Sequence, residues 1–339
     1  MSEAPDFLSD RPESTGAIRY RSNGGDVLAD VLGTLRLRSR VFCRSDLRAP
    51  WAMTLRSCDY AHFHVVEQGN AWLRLERRRE ALPLATGDLV IVPHGRGHTL
   101  ADTPDAPPVP LERLPRQEAG GHYVLRHGGS GAATQILCGA FELGLGSDNP
   151  VLAALPPVLH VPGQSAGTGA WLGPLLQLLL HEARQPRPGT GTILTRLTDV
   201  IFVQAVRVWL DAQPEGGGGW LGALRDPQVG AALAHLHREP ERDWSVTELA
   251  AAVGLSRSPF AARFRELVGE PPLTYLTRWR MRLAASLLRD GQLTLRELAE
   301  RSGYESEAAF SKAFKRQLGL SPRTFRQRAV TAPERPSAA

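Results

Sequence analysis

Apolar and polar positions change rhythm twice along this chain. From about residue 15 to 160, apolar residues come in short alternations broken by Gly and Pro. Examples are Ala71-Trp72-Leu73-Arg74-Leu75 and the continuous run Leu89-Val90-Ile91-Val92, entered through Gly87-Asp88. Alternation bounded by turn residues predicts strands, and a short continuous apolar run predicts a strand buried on both faces. From about residue 168 the rhythm becomes helical. Trp171, Leu175, Leu178 and Leu179 form one stripe, and Leu194, Leu197, Ile201 and Val208 another. These predict helices over 170–185 and 192–212, broken at Gln185-Pro186-Arg187-Pro188-Gly189. The four glycines 216–219 predict a flexible linker over 214–225. Helical periodicity resumes over 226–329, and the tail 330–339, with Pro333 and Pro336, is expected to be disordered.

Within 226–329 the pattern repeats itself. Glu248-Leu249-Ala250 recurs as Glu297-Leu298-Ala299, and Gly254 as Gly303, at an offset of 49. One extra residue then moves the offset to 50, which pairs Ser256 with Ser306, Phe260 with Phe310, Phe264 with Phe314 and Gly269 with Gly319. Ser245 with Glu248, and Thr294 with Glu297, have capping-box spacing and predict the start of a short helix. Gly254 and Gly303 can take positive φ and end it in a tight turn. Ser256 and Ser306 are then expected to cap a second helix, buried along Phe260, Phe264 and Leu267 in one copy and Phe310, Phe314 and Leu318 in the other. Helix, glycine turn, helix is a helix-turn-helix, here present twice.

Charge changes the picture by its distribution. Residues 1–224 carry 21 Arg against 22 Asp and Glu, net −1, whereas residues 225–329 carry 18 Lys and Arg against 12 Asp and Glu, net +6. A basic helical domain behind a neutral sheet-rich one points to a polyanionic partner. The apolar stretches near 171–180 and 200–210 are too short or interrupted to span a bilayer, and no membrane partner is expected. The first residues carry Glu3, Asp6 and Asp10 rather than an apolar leader, and three cysteines make a sparse, odd set. Both suit a reducing cytoplasm.

On these residues, Asp226–Arg328 resembles the DNA-binding domain of AraC/XylS-type regulators. The stretch Phe310-Ser311-Lys312-Ala313-Phe314-Lys315-Arg316-Gln317-Leu318-Gly319-Leu320-Ser321-Pro322-Arg323-Thr324-Phe325-Arg326 carries the likeness most specifically, with a connecting helix near Leu273–Leu288. The resemblance implies a double-stranded DNA operator, and RNA polymerase as a further partner. It also implies that the second helix of each unit enters the major groove. Base contacts carried over from the family fall on Ser258, Ala261, Ala262, Ala308, Ser311 and Lys312. Helical spacing adds Arg265, Glu307 and Lys315 to the outer faces. The small residues at 258, 261 and 262 depart from the longer polar side chains common in the family, though Ala can touch a thymine methyl. Arg257, Arg263 and Arg265 are candidates for phosphate contacts.

The N-terminal half, 15–165, resembles a cupin barrel through two motifs: His62-x-His64 followed by Gly69, and Gly87-x5-Pro93-x-Gly95-x2-His98. The second is complete. In the first, Gln68 or Gly69 stands where the family has a carboxylate ligand, with Glu67 nearby in a different alternation. His62 and His64 share one face of a strand and, with His98, could form a three-imidazole site for a divalent transition metal. Cys58 or His122 is a candidate fourth ligand. The same residues could instead line a barrel around an unknown small-molecule effector. The fold class expected is therefore α+β: a cupin-like barrel plus helices, then an all-α domain with two helix-turn-helix units. The helices of 168–213 are expected to pack on the barrel, with a homodimer interface as a second use. The function expected is a sequence-specific DNA-binding transcription regulator. The alternative is a metal-dependent, dioxygenase-like cupin enzyme with an appended helical DNA-binding domain.

Overall fold

The computed structural model describes residues 26–34, 37–119, 122–143, 150–163, 169–185, 187–213, 219–291 and 293–331. Its first element is a helix, α1 (Val27–Thr34). The alternating runs then form β1 (Leu37–Arg48), β2 (Ala52–Leu55), β3 (Ala61–Gln68), β4 (Asn70–Leu75), β5 (Ala81–Ala85), β6 (Leu89–Val92), β7 (His98–Ala101), β8 (Val109–Pro110), β9 (Arg116–Ala119), β10 (His122–Gly128) and β11 (Ala133–Leu143). A short helix α2 (Pro150–Ala154) precedes β12 (Leu159–Val161). The strands build two sheets, ordered β12-β6-β3-β11-β1-β10-β9 and β5-β4-β7-β2-β8.

Between the sheets lies a core of Leu47, Met53, Leu73, Val90, Val92, Leu100 and Ile136. Alternate residues of the same strands point the other way. Phe63, Val65, Leu89, Ile91 and Phe141 face the helices α3 (Gly169–Arg184) and α4 (Thr190–Asp211). Strand β3 is thus covered on both faces, and Ala61–Val66 are all buried. Its polar residues, His62 and His64, fall on the inter-sheet face because side chains alternate.

The C-terminal half is helical: α5 (Gly219–Ala223), α6 (Pro227–Arg238), α7 (Val246–Ala252), α8 (Arg257–Val268), α9 (Pro272–Asp290), α10 (Leu295–Arg301), α11 (Glu307–Leu318) and α12 (Pro322–Thr331). Both capping boxes form, Ser245 with Glu248 and Thr294 with Glu297. The turn glycines Gly254 and Gly303 take φ of +72° and +70°. Ser306 caps α11 through the Ala309 N–H, at 3.2 Å. The matching expectation for Ser256 is corrected, since its side chain makes no capping bond.

Two further expectations change. Residues 27–34 lie in the region read as sheet-rich yet form a helix, with Val27 and Val31 buried; eight residues are too few to announce a helical period. The expected linker 214–225 divides: 214–218 lie outside the described residues, whereas 219–223 are α5. Trp220 and Leu221 are buried there, and that much apolar surface is worth several kcal/mol against an open linker, roughly 1.5–3 per side chain. Of the tail 330–339 expected to be disordered, Val330 and Thr331 instead close α12, and 332–339 lie outside the described residues.

The apolar packing does not follow the linker. One continuous core runs from Phe63 and Phe141 through α3, α4, α2 and α1 into α5, α6, α7, α8 and the first part of α9. The second helix-turn-helix keeps its own core: Met281, Ala284, Ala285 and Leu288 of α9 with Leu298, Ala299, Phe310, Ala313 and Phe314.

Candidate DNA interface and effector site

Burial separates reader from anchor on each second helix. On α8, Phe260 and Phe264 are fully buried; Ser258, Ala262 and Arg265 are exposed, and Ala261 is half-buried. On α11, Phe310, Ala313 and Phe314 are buried. Glu307, Ala308, Lys312 and Lys315 are exposed, and Ser311 is half-buried. The residues expected to face DNA thus lie on the outer face of each helix, with Ala261 and Ser311 on the flank beside the buried phenylalanines.

Of the three candidate phosphate arginines, Arg257 and Arg265 are exposed. Arg263 is committed elsewhere: its Nε donates to Asp226 Oδ2 at 2.9 Å. The other oxygen of Asp226 caps α6, accepting from the N–H groups of Gln228 and Val229 at 3.0 and 2.8 Å. Burial works to raise the Asp226 pKa, but Arg263 and the two N–H groups outweigh it and hold the carboxyl below its usual range. Arg263, itself exposed, braces the start of α6 against α8 through this pair.

In the barrel, β3 of one sheet brings His62 and His64 against His98 of β7 in the other. Ring centroids stand 5.1 Å apart for His62 and His98, and 5.0 Å for His64 and His98. The hydrogen bonds form a chain. Cys138 Sγ lies 3.1 Å from His64 Nδ1, His64 Nε2 lies 2.8 Å from His98 Nε2, and His98 Nδ1 lies 2.9 Å from the Arg96 carbonyl. A carbonyl only accepts, so His98 carries its proton on Nδ1. Its Nε2 then accepts from His64, and His64 Nδ1 accepts from the Cys138 thiol. The whole chain is neutral. Burial lowers all three imidazoles: His62 to about 3, His98 to about 4, and His64 well below its ordinary value. Neighbouring imidazoles reinforce the shift for His62 and His64. Burial raises the Cys138 thiol, which keeps it a donor.

As arranged, this set does not fit a metal ion. Among the described residues no group of three or more His, Cys, Asp or Glu is placed to hold one. The Nε2 atoms of His64 and His98 are spent on each other. Glu67, the nearby carboxylate, leans the opposite way to Arg44, at 3.1 Å, and also pairs with Arg184 of α3. Cys58 Sγ stands 3.8 Å from His62 Nε2 and donates to the Tyr60 carbonyl at 3.3 Å. The His122 side chain lies outside the described residues. His94 bonds the Leu155 carbonyl at 3.1 Å, a packing role between barrel and α2.

A second polar cluster escaped the sequence reading. α1 packs on α6 and α9, and there Asp30 Oδ2 stands 3.5 Å from His237 Nδ1, with both side chains buried. His237 Nε2 lies 2.7 Å from the Tyr275 hydroxyl, which also accepts from Trp220 Nε1 at 3.3 Å. The His237 ring stacks on Trp279 with centroids 3.9 Å apart. Burial lowers the His237 pKa, and Asp30 opposes that shift. The sequence held one signal for this residue: His237 falls one turn after Leu233 on the buried face of α6.

Two family models match the chain, one in each half. A cupin model matches residues 26–211 and a helix-turn-helix domain model residues 249–328. Along nearly its whole length the chain is 37% identical to an AraC-like transcription regulator of Streptomyces lividans, over 89% of this chain and 98% of that protein. The chain belongs to the AraC-like regulators. Another such regulator, from Streptomyces antibioticus, is 35% identical over 89% of this chain and 98% of its own length. The HTH-type transcriptional regulator AlkR of Acinetobacter baylyi is 30% identical over 89% and 99%. This AraC-like protein is accordingly a DNA-binding transcription regulator with a cupin-like N-terminal domain and a helix-turn-helix C-terminal domain. These relatives are transcription regulators by name, which favours a regulator over the enzyme alternative. Among the described residues no helix is long and apolar enough to cross a membrane.

Proposed function

We propose that this regulator binds a bipartite operator through α8 and α11 and answers to a small molecule that docks at His62, His64 and His98. The single observation that supports the coupling is the continuous core from barrel to first helix-turn-helix: a ligand that moves the inter-sheet face of β3 presses on Phe63 and Phe141, and these pack into the same cluster as Phe260 and Phe264. Close-packed cores transmit such strain rather than absorbing it.

On the DNA side, Ser258, Ala261, Ala262 and Arg265 of α8, with Glu307, Ala308, Ser311, Lys312 and Lys315 of α11, form the proposed contact surface. Lys312 is assigned to a base and Lys315 to phosphate. RNA polymerase and a second copy of the chain are further partners in this reading, the second copy meeting the apolar surface of α3 and α4, where Leu178, Ile193 and Val200 are exposed. The setting is cytoplasmic. A divalent transition metal is the second reading of the imidazole cluster, favoured by three imidazoles from two facing sheets. It requires the bond between His64 and His98 to open.

Genome-wide mapping of the DNA bound by the full chain, beside a His62→Ala, His64→Ala, His98→Ala variant, tests this. The expected result is the same set of sites with the response to the inducing condition lost. Loss of the sites themselves would move the cluster from sensing to structure. Metal content of the purified chain decides the second reading.

A further inference from the structure

The two helix-turn-helix units stand on separate cores, and α9 contributes to both. Trp279 belongs to the first core and Met281 to the second, so the changeover falls at Arg280. A single shared helix fixes the order of the two units along its axis. Their tilt and rotation about that axis depend on whatever joins them beside it.

Arg280 leaves α9 at that point and grips the turn after α6. Its Nε donates to the Pro240 carbonyl at 2.6 Å; its Nη2 donates to the Arg242 carbonyl at 2.9 Å and the Glu241 carbonyl at 3.4 Å. One guanidinium thus holds three successive carbonyls of the first unit. The tight turn of the second unit closes on the same place. A Cβ added at Gly303 would stand 2.6 Å from the Glu241 carbonyl oxygen and 2.8 Å from Arg280 Nη2. Gly303 is therefore seated directly on the clasp, and Tyr304 beside it packs into the second core. The corresponding glycine of the first unit, Gly254, would meet nothing within 4 Å. The repeat makes both glycines turn formers, but only Gly303 is also a docking point.

We propose that Arg280 is a positioning residue that sets the angle and separation of α8 and α11, and through them the spacing between two DNA elements that the protein accepts. The proposal rests on the reading that both helices enter DNA. Elements read by one chain from one face lie about one helical turn, ~34 Å, apart. One inserted base pair rotates the second element by roughly a tenth of a turn. Clasped units cannot follow that rotation, whereas units joined through α9 alone can swing toward it. Lysine cannot replace the fork, because an ammonium is a point donor on a flexible stem.

The test uses the full chain. Duplexes are selected from a random-sequence pool with the unsubstituted protein. The recovered duplex is then remade with one or two base pairs inserted or removed between its two elements. Affinities are measured for the unsubstituted protein, Arg280→Met and Arg280→Lys, with thermal unfolding as the check on folding. The unsubstituted protein should lose about tenfold or more per inserted base pair, the scale of a mismatched contact. Arg280→Met should bind parental and inserted duplexes within about threefold of each other, and Arg280→Lys should fall between. A folded Arg280→Met that discriminates spacing like the unsubstituted protein, or loses affinity equally on every spacing, overturns the proposal. Should Arg280→Met fail to fold, an Arg280→Lys variant with full discrimination overturns it as well. An unsubstituted protein indifferent to spacing would instead overturn the two-helix reading, and the proposal with it.

Discussion

The two helix-turn-helix units come from one repeated pattern yet live in different surroundings. Each has a capping box, a positive-φ glycine and a pair of buried phenylalanines. The first shares its core with the sensor half and touches α1 and α2 through α5, α6 and α9. The second has its own apolar core with the distal part of α9, and it meets the first where Gly303 sits against the Glu241 carbonyl. The outer faces differ as well: α8 offers Ser258, Ala261 and Ala262 where α11 offers Lys312. One sequence motif can therefore specify a local fold without specifying its role. In the function proposed above, the first unit receives the sensor's state and the second carries most of the base recognition.

Acid should separate the two units most strongly. His62, His64, His98 and His237 are all lowered by burial, and all four side chains lie on the sensor or at its junction with the first unit. The folded state keeps them neutral while the unfolded chain takes up protons. Their stabilisation is complete above the unfolded value of 6.5 and is lost as pH falls from there, down to about 4 for His98 and about 3 for His62. His62 and His98 each remove up to about 1.4 kcal/mol per pH unit in that window. Residues 270–339 contain no histidine. Native-state hydrogen exchange at pH 7 and pH 5 should show protection falling in the barrel and α6 while α10 and α11 hold. Equal loss in α11 would break the comparison.

Core truncation comes next. Phe260→Ala and Phe310→Ala should each cost about 3–5 kcal/mol. The first should lower the main unfolding transition of the whole chain. The second should split off an early transition confined to α10–α12, with the barrel unaffected. Calorimetry distinguishes these patterns, and a single coincident shift for both variants would mean that the cores are not independent.

At the interface, Lys312→Ala should cost about 1–3 kcal/mol on the preferred site and flatten preference at one base pair. Ser258→Ala, on the smaller-faced helix, should stay well under that. Titrations against single-base variants of the selected duplex at two salt concentrations measure both. A loss for Lys312→Ala that is uniform across variants, with a shallower salt slope, would assign Lys312 to phosphate instead.

The smallest contrast lies at the caps. Ser306→Ala removes a hydrogen bond to the Ala309 N–H and should cost about 1 kcal/mol. Ser256 makes no such bond. Its replacement by Ala should change the denaturation midpoint much less, and an equal cost would show that Ser256 caps α8 in solution.

Both units were readable from the chain because their information is local: caps, turn glycines and phenylalanines at helical spacing. The strand rhythm of the barrel was local too, as was the pairing of His62 with His64 on one face. What escaped depends on contacts far apart in sequence. Nothing near Glu67 tells that it turns toward Arg184, or near Arg263 that Asp226 holds it. α1 is too short for a period, and its burial exists only against α6 and α9. The division between cores is likewise invisible, since Trp279 and Met281 are neighbours on one amphipathic helix and differ only in what packs over them.

That division bears on how such proteins diversify. A recombination joint in the glycine run would part Val27, Val31 and Leu152 from Trp220, Val229 and Leu236, severing a common interior. A joint within α9, after Trp279, respects it. The inheritable cassette is then the distal reader alone, free to acquire new sequence preferences, while the proximal reader must drift in step with the sensor it is welded to.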